Sequence, residues 1–152
     1  PSGWMLVLNY YRIIEFLNQS RYYLSRYFES IKEKKEIRLS LIYHHFDLNH
    51  IFVDQQKLIS IDQMKINYCI YDLVELFQNQ KDLYECVALF DGYLEEIDLY
   101  QEEKLLLLCL LSIVPHVSLN EDENNNIQEM AKLICYMDGI VKIFKKIEID
   151  EV

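Results

Sequence analysis

The stretch LIYHHFDLNHIFVDQQKLISIDQ, residues 41–63, decides how the rest of the chain is read. Three of the four histidines, His44, His45 and His50, fall in it, together with Asp47, Asp54 and Asp62. Residues 37–43, HIFVD at 50–54 and KLISID at 57–62 are short runs rich in β-branched and aromatic residues. Asp54-Gln55-Gln56 separates the last two at hairpin distance. The pattern predicts an apolar strand, a polar loop and an antiparallel hairpin, with β structure confined to about residues 38–62. A hairpin alone is marginal in water, so packed helices must support it.

On both sides the apolar period is helical. Upstream, Leu6, Leu8, Tyr10, Ile13, Ile14, Leu17, Tyr22, Leu24, Tyr27, Phe28 and Ile31 recur at near-helical spacing over residues 4–33. Asn18-Gln19-Ser20 is a candidate break, and the charged run KEKKE at 32–36 is the end. Downstream, YDLVELFQ, KDLYECVALFDGYLEEI, QEEKLLLLCLLSIV and the segment 120–149 read as four more helices. Asp91-Gly92 is a place where the second of these can relax. The third is apolar on nearly every side and is expected at the centre, ending at Pro115. The last opens acidic and closes Lys-rich, as the helix dipole favours, with Asn120 or Asp122 as its cap. The expectation is one mostly helical domain, residues 1–152, carrying a small antiparallel hairpin.

Composition narrows the function. The chain has 152 residues, 51% apolar and 26% charged, enough for a real core. Three Gly and two Pro argue against turn-rich β folds and glycine-rich phosphate loops. The net charge of −10 is lopsided, +2 over residues 1–60 and −12 over 61–152, and it disfavours nucleic acid and anionic membranes as partners. Arg12, Arg21 and Arg26 among tyrosines form a conceivable stacking surface for bases, but an amphipathic helix explains them as well. The apolar run at 105–115 is too short to span a bilayer, and no secretory leader pattern opens the chain. Cys69, Cys86, Cys109 and Cys135 lie in apolar segments without metal-ligand spacing. They are read as reduced, mostly buried thiols of a cytoplasmic protein. A transition-metal site at His44, His45 and His50 is disfavoured, because adjacent side chains of an extended loop diverge. His116, just after Pro115, reads as a surface turn residue.

The segment 41–63 resembles the aminoglycoside phosphotransferase and choline-kinase-like group, small-molecule kinases of the protein-kinase-like fold. Their signature runs approximately LIHGDLHPGNILFD, a short gap, then LIDFD. It lies without a gap on LIYHHFDLNHIFVD and then LISIDQ. Leu41, Ile42, Phe46, Ile51, Phe52, Val53, Asp54, Leu58 and Ile61 supply the hydrophobic frame and turn. YDLVELF resembles the family's next helix start, with Asp72 at its acid. The likeness extends to a bacillus-type branch that includes spore-coat kinase-like proteins, through Glu102-Glu103, the leucine run and a turn ending in Pro115. It covers about residues 10–145, all within the family's C-terminal lobe.

The resemblance implies particular roles, and the letters depart from several. The family's loop His falls on Tyr43 and its Gly on His44. The catalytic Asp falls on His45, the magnesium-binding Asn on His50, and the second metal acid on Asp62. A gapped register instead sets His45-Phe46-Asp47 on the H-G-D letters and Asn49 near the family Asn, at the expense of the following strand. His45 could still serve as a base near neutral pH. His50 is a poor magnesium ligand, since that ion prefers hard oxygen donors. Asp72 is expected to be structural, its carboxylate receiving N–H groups of the 43–50 loop. The opening without an initiator Met implies that an N-terminal lobe, with its glycine-rich loop and strand Lys, lies outside this chain as its missing partner. The expected function is a catalytically inactive kinase-like binding or scaffold protein, cytoplasmic or in a spore coat. No cofactor is expected for this chain, and Mg-ATP only if the complete protein is an active phosphotransferase. The remaining alternative is an all-helical interaction domain unrelated to kinases.

Overall fold

The computed structural model describes residues 1–44, 51–55, 57–58, 61–79, 83–147 and 149. Among them are five helices, α1 (Ser2–Ile31), α2 (Ile70–Asn79), α3 (Leu83–Glu96), α4 (Gln101–Leu111) and α5 (Glu123–Phe144). Four short strands lie between α1 and α2: β1 (Ser40–Ile42), β2 (Ile51–Phe52), β3 (Lys57–Leu58) and β4 (Lys65–Asn67). The mostly helical class read from the sequence is the class observed. No helix among the described residues is long and apolar enough to cross a membrane.

α4 is the hub. It packs against α1 and α2, while α5 packs against α1 and α3. Leu105, Leu107, Leu108 and Leu111 of α4 are almost wholly buried, which fits the expectation of a central helix. Around them close Phe16 and Tyr27 of α1, Ile70 and Phe77 of α2, Phe90 of α3, and Met130, Met137 and Ile140 of α5. Burying such side chains stabilises by roughly 1.5–3 kcal/mol each before entropy is counted. Two side-chain hydrogen bonds join the layers: Tyr27 and Tyr68 share one of 2.9 Å, and Tyr136 donates to the Leu111 carbonyl at 2.9 Å.

Several local expectations need correction. β structure is not confined to 38–62: β4 lies beyond it and pairs antiparallel with β1, Leu41 opposite Ile66, forming a second ladder beside the β2–β3 hairpin. α1 runs unbroken through Asn18-Gln19-Ser20, because the inner face there is held by α4; Ser20 Oγ lies 3.6 Å from Cys109 Sγ. α3 runs unbroken through Asp91-Gly92. α4 stops at Leu111, four residues before Pro115, with the Ser112 hydroxyl closing on the Leu108 carbonyl at 2.7 Å. Cys109 is buried and Cys69 half-buried, but Cys135 is exposed on the outer face of α5.

Of the two candidate caps of α5, Asp122 fills the role, accepting from the N–H groups of Asn124 and Asn125. Asn120 instead braces the turn, accepting from the Asp122 N–H at 2.8 Å. Buried Asn126 exchanges two hydrogen bonds of 2.8 Å with the Asn120 backbone.

Candidate functional site

β1 delivers the chain to the start of the polar loop, and α2 begins just behind it. Asp72, in the first turn of α2, points its carboxylate at that junction. Oδ2 accepts from the Tyr43 N–H at 2.8 Å, and Oδ1 from the His44 N–H at 3.0 Å. Two charge-assisted bonds to adjacent amides fix the direction in which the chain leaves β1. The helix N-terminus favours the same negative charge.

That fixation works against a local cost. His44 has φ of 60°, the left-handed region, and it is the one non-glycine residue with positive φ among the described residues. For an L-residue this costs roughly 1–2 kcal/mol.

The His44 ring is held as well. Its Nδ1 lies 3.3 Å from Glu75 Oε1, and its Nε2 lies 2.9 Å from Lys65 Nζ. Glu75 stands one turn after Asp72 on α2, so both acids face the same junction. Lys65 arrives through the β1–β4 pairing, where it sits opposite Ile42. The geometry fits a ring that donates from Nδ1 to the carboxylate and accepts at Nε2 from the ammonium. Both nitrogens are thus engaged, and the chain carboxylate–imidazole–ammonium orders the mouth of the loop.

Of the site residues read from the sequence, His45 and His50 lie outside the described residues, as do Asp47 and Asn49. Asp62 sits exposed in a single 3₁₀ turn, Ile61–Gln63, after β3. Asp72 lies at the loop junction already described. Among the described residues no three His, Cys, Asp or Glu side chains come together as a metal-binding group. His116 is exposed.

Beside β1, and sharing Asp72 with that junction, lies an open cleft of about 690 Å³, with Arg38, Cys69, Tyr93 and Tyr100 also among its walls. Arg38 is the cation in a lining that also holds Asp72, Glu96 and Asp98, and sequence reading gave it no role. Its Nε donates to Glu103 Oε1 at 2.9 Å and its Nη2 to Glu103 Oε2. Nη2 also donates to the Asp98 carbonyl at 2.8 Å. The guanidinium stacks over Tyr100, 4.0 Å from the ring centroid. Glu103 is fully buried and accepts in addition from the Tyr100 N–H at 2.9 Å, closing the start of α4. Its neighbour Glu102, also buried, pairs with Lys34 at 2.5 Å. These pairs staple the segment between α1 and β1 onto α4. Burial pushes the Cys69 thiol and the Tyr93 hydroxyl up from their ordinary values, so both stay protonated at neutral pH.

In the sequence the two acids at 102–103 figured only in the likeness around the leucine run. Their partners lie 65 and more residues away, and no local spacing links them. No protein-family model, curated protein or solved structure matches this chain.

Proposed function

We propose that this chain is a divergent, catalytically inactive relative of the small-molecule kinases, corresponding to their C-terminal lobe and acting as a binding or scaffold protein. The observation that carries the reading is the carboxylate of Asp72 holding the Tyr43 and His44 amides at the entrance to the loop. It supports a catalytic-type loop anchored from the helix behind it, in the register of the gapless match. The left-handed backbone at His44, where the signature has glycine, supports the same register.

Inactivity rests on the letters. In this register the acid that would orient a substrate hydroxyl is replaced by His45, and the magnesium-binding Asn by His50. A phosphoryl transfer site works by positioning and by neutralising phosphate charge with metal, and both substitutions weaken that apparatus. In the bacillus-type branch the setting would be a spore coat.

Calorimetry with Mg-ATP tests this. The chain should give no binding at dissociation constants of about 100 µM or tighter, roughly −5.5 kcal/mol. Binding in that range would contradict inactivity and favour an active phosphotransferase.

A further inference from the structure

We propose that the outer face of α1 pairs, antiparallel, with the same face of a second copy of this chain. α1 is 30 residues long, and its inner face, including Phe16 and Tyr27, is used by the core. Its outer face carries Val7, Tyr10, Ile14, Leu17, Leu24 and Phe28, all exposed, Val7 by 61% and Phe28 by 58%. With Arg21, these positions follow one another in alternating steps of three and four. That is a heptad seam sustained for three repeats, the period another helix reads. The flank beside it, Trp4, Tyr11, Asn18 and Ser25, is uncharged, with Trp4 71% and Tyr11 85% exposed.

The seam is complementary to itself in one direction. Antiparallel pairing about a point between residues 15 and 16 sets Ile14 against Leu17 of the second copy, and Val7 against Leu24. Phe28 meets Gly3, where a side chain would find nothing within 4 Å. Arg21, the one charge in the seam, lies against Tyr10, a cation–π partner. Parallel pairing instead stacks Arg21 on Arg21. The two-fold arrangement closes, so it ends at a dimer. The acidic excess lies in residues 61–152, whereas α1 carries three Arg and two Glu, so the seam lies on the less acidic part of the chain.

About a dozen residues per copy is half a standard interface, so the dimer is expected to be weak and reversible. Sedimentation equilibrium from about 2 to 200 µM should show a monomer–dimer equilibrium. Val7→Glu and Leu17→Glu should each weaken it at least tenfold, with unchanged circular dichroism as the folding control. Val7 is exposed enough that its substitution is safe even if Leu17→Glu perturbs the core. A spin label at Ser25, with the native cysteines replaced, should report a distance between copies near 30 Å, since residue 25 then faces residue 6, about 28 Å along the axis. A monomer at 200 µM, a dimer indifferent to both substitutions, or a label distance below about 20 Å would overturn the proposal.

Discussion

Asp72 and Glu75, one turn apart on α2, take hold of the same residue: Asp72 binds the His44 backbone, and Glu75 meets its ring. A residue in a costly backbone conformation is thus fixed twice from one rigid helix. The strain is local and the restraint comes from the fold, the usual arrangement where a loop must leave in one direction.

The backbone cost at His44 can be isolated by comparing two variants that both lack the ring. His44→Gly should be more stable than His44→Ala by about 0.5–1 kcal/mol. Relief of the left-handed conformation exceeds the extra entropy that glycine gains in the unfolded chain. Paired urea denaturation curves give the difference, and Ala equal to or better than Gly would place the φ of 60° in doubt.

Arg38→Ala should be far more damaging than an exposed arginine warrants. It leaves the Glu103 carboxylate buried without its guanidinium, at a cost of about 3–5 kcal/mol. Glu103→Gln in the Arg38→Ala background should recover part of that loss. Thermal or denaturant unfolding of the two variants reads both effects.

Leu107→Ala should cost about 2–5 kcal/mol, because the side chain is wholly enclosed at the centre of α4. Leu110 is only partly buried against the same core, so Leu110→Ala should cost less. The ordering of the two in denaturation is the check on the helix's rotation.

Tyr27→Phe should cost about 1 kcal/mol at neutral pH, by removing the hydrogen bond to Tyr68. Burial first, and then the Tyr68 hydroxyl, push the Tyr27 hydroxyl up to about 12. The unfolded chain releases this proton from about pH 10. The wild-type advantage is therefore constant below pH 10 and shrinks between 10 and 12. Denaturation at pH 8, 10 and 11.5 should show the gap between the two proteins narrowing only in that alkaline window.

Much of the helical body was legible from its apolar period, which coincides with burial in α4 but not in α1, where Tyr10, Ile14, Leu17, Leu24 and Phe28 lie exposed. The leucine run of α4 could lie only inside, and Asp122 had the side chain and position of a cap. Asp72 was expected as an anchor of the 43–50 loop through the kinase-like resemblance; its place at a helix start alone does not say which amides it receives. What escaped reading depends on long-range partners. β4 is three residues, Lys65-Ile66-Asn67, too short to show alternation, and it exists because β1 offers an edge. The α1 break at Asn18-Gln19-Ser20 was a local propensity overridden by packing against α4. The ion pairs of Glu102 and Glu103 escaped because Lys34 lies in a charged run that looks like a helix ending and Arg38 in the apolar run after it, both more than 60 residues away. The ring contacts of His44 needed the β1–β4 register, which no spacing in the sequence supplies.

The anchoring of the loop by Asp72 is the claim on which the kinase-like reading depends, and amide hydrogen exchange of Asp72→Asn tests it most directly. Replacing one carboxylate oxygen by an amide group sets a donor against an N–H and should cost about 1–2 kcal/mol. The account predicts that exchange at Tyr43 and His44 accelerates at least tenfold, beyond any uniform change in the α4 amides. Exchange at those two amides no faster than in the wild type, with equal stability, would contradict it.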